Sequence, residues 1–258
     1  MTRTGAKKHL GQHFLQDEYV LSQFVAALAP KPTQRLVEIG PGLGALTLPV
    51  LQRCQQLDVI ELDRDVLDRL RAHCSGHGDL RIHQADVLQF DFDRLTDQPA
   101  TLRLIGNLPY NISSAILFRL IEYFPLIADL QFMFQSEVAD RLTAEPNTPD
   151  YGRLSVMIQY YFEVATLFHV SPQAFIPIPK VDSAVVRLVP RRPLAFAAQN
   201  EKRFGEIVRR AFGQRRKTLR NALRDIVGES EFSGAQIDPS RRGETLSVEE
   251  FVRLANQT

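Results

Sequence analysis

The sequence predicts an α/β protein, a Rossmann-like doubly wound sheet followed by a small all-helical domain, and three observations carry that prediction. Leu36, Val37 and Ile39 form a short apolar run that stops at Gly40-Pro41-Gly42-Leu43-Gly44, as a strand buried in a parallel sheet does when it ends in a glycine loop. A second apolar run, residues 57–62, brings Glu61 and Asp63 to its end. Glu61 falls 19 residues after Gly42, where a doubly wound fold places the carboxylate that accepts from ribose hydroxyls. Strand-like and helix-like segments then alternate up to residue 189, after which the periodicity is helical throughout. The expected division is therefore residues 1–189 as the sheet domain and residues 190–258 as the helical one.

In chain order, residues 7–15 (Lys-Lys-His-Leu-Gly-Gln-His-Phe-Leu) are a basic arm of poor periodicity that can fold back as a lid. Asp17 is placed to cap a helix carried by Tyr19, Val20, Phe24, Val25 and Leu28 and stopped by Pro30. After the glycine loop, residues 43–51 predict a helix whose positive end and free N–H groups face the crevice, which suits a nucleotide or a nucleoside bearing a carboxylate. Gly40, Gly42 and Ala45 satisfy the dinucleotide pattern, while Gly44 and the acidic Glu38 suit a nucleoside-type cofactor equally well, so the loop alone leaves both open. Val66, Leu67 and Leu70 mark a helix and residues 80–84 a third strand. Asp86 then lies on the same sheet edge as Glu61, where it can accept an adenine amino proton or cap a helix.

Residues 101–105 form a fourth strand that runs into Gly106-Asn107-Leu108-Pro109-Tyr110. A helix over 112–123, a strand over 127–134 and a helix over 135–142 follow. Then come a mobile, proline-bearing loop over 145–151, a helix over 154–160, and strands over 161–170 and 181–189 that close the sheet. Between those strands Phe175 precedes Pro177 and Pro179, a stiff loop that can hold the ring against a base or anchor it in the core. Beyond Pro190-Arg191-Arg192-Pro193, apolar positions at Phe204, Ile207, Val208 and Ala211, then Leu219, Ala222, Leu223 and Ile226, then Val248, Phe251, Val252 and Leu254 are helical.

Composition fits a globular domain: 44% hydrophobic and 24% charged in 258 residues. No apolar run approaches the ~20 residues of a membrane span, and the basic start of the chain is not followed by an apolar signal core, so a cytoplasmic protein with no membrane association is expected. Cys54 and Cys74 are too few for a disulfide framework or a zinc ribbon. The cluster His73-Cys74-Ser75-Gly76-His77 reads as a solvated turn, and no metal is expected. The formal charge of +1 is uneven: residues 190–258 hold 14 Lys and Arg against 9 Asp and Glu, leaving 17 against 21 in residues 1–189. Residues 202–224 alone carry nine basic residues and one acidic one, Glu206, which points to a phosphate-binding surface. Arg209, Arg210, Arg215, Arg216, Lys217 and Arg220 are its carriers, expected in the groove between the two domains.

The chemistry is concentrated at Asn107, Leu108, Pro109 and Tyr110. The exocyclic nitrogen of adenine is a poor nucleophile because its lone pair is delocalised into the ring. Acceptors aimed at both of its N–H groups draw it towards a tetrahedral geometry and localise that pair. The side-chain oxygen of Asn107 and the carbonyl of Leu108 are suitable acceptors, Tyr110 offers a stacking face, and Pro109 stiffens the turn. With a sulfonium methyl as electrophile no strong base is required, because the cationic product loses its proton to water.

These residues resemble the small-subunit ribosomal RNA adenine dimethyltransferase family, the KsgA-type enzymes that use S-adenosylmethionine. The resemblance runs from Lys7 to about Leu254. Its carriers are residues 11–15, 38–47, Glu61-Leu62-Asp63, Asp86, residues 107–110, Tyr151-Gly152-Arg153-Leu154-Ser155-Val156, residues 175–183, and Arg215-Arg216-Lys217-Thr218-Leu219-Arg220-Asn221. It implies a class I methyltransferase fold and an S-adenosylmethionine site lined by His13, Leu15, Gly40, Glu61, Asp86 and Asn107. His13 departs from the family, which often has Asn there. The implied substrate is a pair of neighbouring adenines in a hairpin near the 3′ end of small-subunit (16S) rRNA, each methylated twice, with the small ribosomal subunit as partner and a monomeric enzyme.

Two readings from other classes stand beside it. One is a ribosome-assembly or transcription-related RNA-binding protein that keeps the fold without its chemistry, against which Asn107, Tyr110 and Glu61 speak. The other is a large-subunit rRNA adenine methylase of the macrolide-resistance type, which fits the 175–183 loop and the basic 215–220 stretch less well.

Overall fold

The computed structural model describes residues 13–214 and 216–257. The basic arm up to residue 12, with its expected lid role, and Arg215 lie outside the described residues. β1 (Phe14–Leu15) leads into α1 (Glu18–Leu28). Asp17 caps that helix as expected, its side chain accepting from the N–H groups of Tyr19 and Val20, and Ala29 ends it in a left-handed conformation. β2 (Arg35–Ile39), α2 (Thr47–Cys54), β3 (Gln56–Glu61), α3 (Arg64–Cys74), β4 (Asp79–Gln84), β5 (Leu102–Asn107), α4 (Ser113–Ile121) and β6 (Ile127–Gln135) follow. After α5 (Ser136–Thr143) and α6 (Arg153–Tyr161), the chain returns through β7 (Phe162–Val170), β8 (Phe175–Ile176) and β9 (Ser183–Pro190).

Among the described residues seven strands make the main sheet in the order β4-β3-β2-β5-β6-β9-β7, and β1 pairs with β8 in a separate two-stranded sheet. β4, β3, β2, β5 and β6 are mutually parallel, and β9 runs antiparallel to β6. The chain therefore lays β3 and β4 outward on one side of β2, then returns to place β5 on the other side. The carboxyl ends of β2 and β5 bound the crevice at which the strand order reverses, the place where an open α/β sheet takes its ligand. Gly106 makes that pairing possible, since a Cβ there would stand 2.4 Å from the Ile39 carbonyl oxygen. Leu36, Val59, Ile105 and Met133 are among the strand residues buried against Phe24, Val25 and Leu28 of α1 and Val50 and Leu51 of α2.

The helix expected over 43–51 begins only at Thr47. Gly42 and Gly44 have φ of +54° and +91°, and the Gly44 N–H closes a turn on the Pro41 carbonyl, so right-handed helical bonding starts at Leu48 N–H to Gly44 carbonyl. A buried ion cluster ties the far ends of the strands. Arg103 Nε and Nη2 donate to the two Asp129 carboxylate oxygens at 2.7 and 3.0 Å, Nη2 also reaches the Leu28 carbonyl, Nη1 reaches Gln34, and Arg187 adds a second cation on Asp129.

The chain divides into two compact units, and the division differs from a single boundary at 189. One unit is Met1–Ala139 with Val164–Pro190; the other is Asp140–Glu163 with Arg191–Thr258. Of the helices expected to belong to the sheet domain, the second half of α5 and all of α6 join the C-terminal helices α7 (Glu201–Gly213), α8 (Leu219–Leu223), α9 (Glu229–Gly234) and α10 (Val248–Ala255). The reason is aromatic packing within this unit: Tyr160 lies on Phe204 at 4.5 Å, Tyr151 on Phe212 at 6.1 Å, and Phe212 on Phe251 at 5.8 Å. The loop over 145–151 is bonded into the same unit, with the Asn147 N–H on the Glu244 carbonyl and the Tyr151 hydroxyl on the Leu246 carbonyl.

Candidate active site

A cavity of about 690 Å³ opens at the switch point, and every residue expected to hold the cofactor lines it: His13, Leu15, Gly40, Glu61, Asp86 and Asn107. Leu108, Pro109 and Tyr110 line it as well. Separate strand ends deliver them: Gly40 follows β2, Glu61 ends β3, Asp86 follows β4, and Asn107 ends β5.

Glu61 is nearly buried, and both of its oxygens are engaged. Oε2 accepts from the Gly42 N–H at 3.1 Å and Oε1 from the Asp63 N–H at 2.8 Å. Each oxygen keeps a second lone pair for a ligand hydroxyl. Burial pushes its carboxyl above the ordinary range, opposed by those two N–H bonds. Asp63, grouped with Glu61 in the sequence, instead caps α3 by accepting from the Asp65 N–H. Asp86 caps the turn after β4, its Oδ1 accepting from the Leu88 N–H at 2.9 Å, and the residue stands on the cavity wall.

Glu38 was legible only as part of the loop motif, yet it is the most strongly perturbed carboxyl of the site. It is 1% exposed, lines the cavity, and its Oε2 has no hydrogen-bond partner among the described residues. Burial raises it to about 8, the neighbouring Thr47 hydroxyl opposes the rise, and the charge of Glu61 adds to it. A buried carboxyl with an unpartnered oxygen, on a residue of the cavity wall beside a second carboxyl, suits a cationic group.

Asn107 donates through Nδ2 to the His13 carbonyl oxygen at 2.8 Å, which turns its Oδ1 the other way. Tyr110 is fixed by a 2.8 Å bond between its hydroxyl and Ser183 Oγ, and the next turn is fixed by Ser113 Oγ donating to the Pro109 carbonyl. Ser183 is fully buried at the end of the 175–183 motif, a supporting residue that no local pattern singles out. The His13 ring stacks on Tyr110 with centroids 5.3 Å apart and planes 24° from parallel, and Nδ1 bonds the Pro177 carbonyl at 2.7 Å.

Phe175 does not offer a face to a base. It is 0% exposed, paired with Leu15 across β1 and β8, and packed in the core with Val170 and Ala174. The strand pairing turns its side chain inward, so the stiff loop anchors the ring instead of presenting it. His73 and Cys74 also depart from a solvated turn: they close α3, with Cys74 buried, and the turn begins at Ser75. Among the described residues no group of three His, Cys, Asp or Glu could hold a metal ion, and no helix is long and apolar enough to cross a membrane.

In the helical unit, Arg216 and Lys217 are exposed in the turn after α7 and have no ion-pair partner among the described residues. Arg220 is exposed on α8 but paired with Glu229 at 2.8 Å. Arg209 and Arg210 share Glu206, whose carboxyl they hold well below its ordinary range. Part of the expected basic run is thus neutralised within its own unit.

The sheet order and the cavity at its switch point define a class I methyltransferase fold. A structure of a dimethyladenosine transferase from Plasmodium falciparum superposes with a TM-score of 0.77, covering 94% of this chain and 96% of that one at 24% identity. The 23S rRNA methyltransferase ErmE superposes with a TM-score of 0.72 at 27% identity, covering 95% and 98%. The family model for ribosomal RNA adenine dimethylase matches residues 3–258. The chain belongs to that family. It is 53% identical over 251 residues to ribosomal RNA small subunit methyltransferase A of Xanthomonas axonopodis pv. citri, which spans 97% of this chain and 95% of the relative. Its identity to the protein of the same description from Xanthomonas campestris pv. campestris is 52% over the same shares.

Proposed function

We propose that this chain, acting as a monomer in the cytoplasm, transfers methyl groups from S-adenosylmethionine to the N6 amino groups of two adjacent adenines. The adenines lie in a hairpin near the 3′ end of small-subunit (16S) rRNA, each is methylated twice, and the reaction belongs to assembly of the small ribosomal subunit. The observation that carries this reading is the orientation of Asn107: with Nδ2 committed to the His13 carbonyl, Oδ1 is the atom left for an N6–H. Identity of 53% to a small-subunit methyltransferase, against 27% to a 23S rRNA methyltransferase, favours the small subunit over the large.

S-adenosylmethionine supplies an electrophilic methyl on a sulfonium and nothing else. The chain does the rest. Glu61 accepts from the ribose hydroxyls, Asp86 from the adenine amino group, and Gly40 lets the ligand approach bare backbone. Leu15 presents an apolar wall, and His13 stands at the methionine end. Glu38 faces the cationic groups of the same ligand. Asn107 Oδ1 and the Leu108 carbonyl accept from the two N6–H groups of the substrate, so that the nitrogen lone pair is localised as the new C–N bond forms and the S–C bond breaks. The product nitrogen is cationic and releases its proton to water. Arg215, Arg216, Lys217 and Arg220 hold RNA phosphates.

The test is incorporation of labelled methyl groups into isolated small and large subunits. Label confined to small-subunit RNA supports the reading, label in large-subunit RNA supports the resistance-type alternative, and binding without label supports a non-catalytic assembly protein.

A further inference from the structure

We infer that the exposed rim made by Ile178, Lys180 and Val181 holds the nucleotide next to the target adenine, the two aliphatic side chains against its base and the Lys180 ammonium on the phosphate that joins it to the target. The inference rests on the proposed reaction and adds to it a substrate contact outside the cavity. Among the described residues eight large apolar side chains are exposed, and Ile176, Ile178 and Val181 account for three of them within six positions. An exposed apolar cluster of this kind marks a surface that a partner covers. Lys180 stands exposed between Ile178 and Val181 and has no ion-pair partner among the described residues.

The rim is fixed in place beside the cavity. Phe175, Pro179 and Ser183 are its buried anchors. Ile176 pairs with Phe14 across β1 and β8, the Pro177 carbonyl accepts from His13 Nδ1 at 2.7 Å, and Ser183 Oγ meets the Tyr110 hydroxyl at 2.8 Å. His13, Phe14 and Tyr110 line the cavity, so the loop is tied to its wall at three points while Ile178, Lys180 and Val181 stay outside it. The Asp182 carbonyl, accepting from the Ser136 N–H at 2.9 Å, holds the far end. Adjacent adenines are one phosphate link apart, so when one has its amino group at Asn107 the other lies at the mouth of the cavity. Its base presents a flat apolar face, freed of its stacking partner once the target has left the helix. A ridge already stiffened by Pro177 and Pro179 meets that face with little ordering cost, and a cation at its centre neutralises the adjoining phosphate.

The test uses the full chain and small subunits assembled on RNA in which one adenine of the pair is replaced, on each side of the remaining adenine in turn. The replacement is either unsubstituted purine, a base with no amino group to methylate, or an abasic residue. Ile178→Ser and Val181→Ser are each expected to lower kcat/KM about fivefold on purine RNA, the loss of one aliphatic contact, and to have no effect on abasic RNA, for replacement on at least one side. Lys180→Gln is expected to lower the slope of log affinity against log salt by about 0.7, one phosphate contact. S-adenosylhomocysteine affinity is expected to be unchanged in all three variants. Losses of equal size on purine and abasic RNA on both sides would overturn the inference and assign the rim to another component of the subunit, such as a protein. Full activity of both serine variants on every RNA, or an unchanged salt slope in Lys180→Gln, would also overturn it. Failure of the underlying reaction looks different: wild type itself transfers no methyl group to unmodified small subunits.

Discussion

Asn107 Nδ2 donates to the His13 carbonyl oxygen at 2.8 Å, so a residue at the end of β5 is oriented by one 94 positions earlier in the chain. The bond decides which way the amide points, and it leaves Oδ1 as the acceptor for an amino group in the cavity. Replacing Asn107 with Ala is expected to lower turnover by roughly 100- to 1,000-fold while subunit affinity changes only a few-fold, because the acceptor acts on charge that develops in the transition state. Single-turnover rates and binding isotherms on the same subunits check this. Near-normal turnover with lost affinity would make Asn107 a binding residue and would refute the mechanism.

Glu61 holds two backbone N–H groups as well as the proposed ribose, so its loss acts twice. Glu61→Ala is expected to weaken S-adenosylmethionine binding by about 1 to 3 kcal/mol, and to loosen the glycine loop through the freed Gly42 N–H. Calorimetry on the purified variant measures the first effect and protection of the Gly42 amide from exchange the second. An affinity equal to wild type contradicts the assignment.

Glu38 gives the ligand-free protein a pH signature. Its carboxyl is raised from 4.5 to about 8 by burial, so between those values the folded chain keeps a proton that the unfolded chain has released. The contribution to stability is full below 4.5 and falls as pH rises through the window, with a limiting slope of about 1.4 kcal/mol per pH unit. Glu38→Gln removes that term. Its stability relative to wild type is expected to increase with pH across the window, as measured by denaturant unfolding of both proteins; parallel profiles would contradict the burial argument.

How much of this was legible depended on the range of the interaction. Strand ends and glycine turns are local, and the run from Leu36 to Gly44, the acid at Glu61 and the cap at Asp17 are found where their patterns put them. The start of α2 was misplaced because Leu43, Ala45 and Leu46 look helical while left-handed glycines on either side of Leu43 forbid it. Helical periodicity at 154–160 says that a face is buried but not in which core, so the membership of α6 in the second unit was not readable. The same limit applies to Phe175, whose inward turn follows from a β-pairing with Leu15 across 160 residues. Nor does a strand pattern show what a charge such as Arg103 is for, since its partners Asp129, Gln34 and Leu28 lie 26 to 75 positions away.

The basic run makes a prediction about salt. Arg216 and Lys217 are free of ion pairs among the described residues, whereas Arg220 is held by Glu229. Changing Arg216 and Lys217 to Gln is expected to leave S-adenosylmethionine affinity unchanged, reduce subunit affinity, and lower the slope of log affinity against log salt by about 1.4. Glu229→Gln is expected to act in the opposite direction by releasing Arg220. Filter binding across a salt series measures both, and an unchanged slope in the double variant would show that this stretch is a solvated face.

Where the methyl groups are placed tests the proposed reaction most directly. Small subunits from cells lacking the enzyme, incubated with the purified chain and labelled S-adenosylmethionine, are digested and mapped by mass spectrometry. The predicted result is N6,N6-dimethyladenosine at two adjacent adenines in the hairpin near the 3′ end of the small-subunit RNA, with large subunits unlabelled and Asn107→Ala inactive. Methyl groups at any other position, in large-subunit RNA, or unaffected by Asn107→Ala would contradict it.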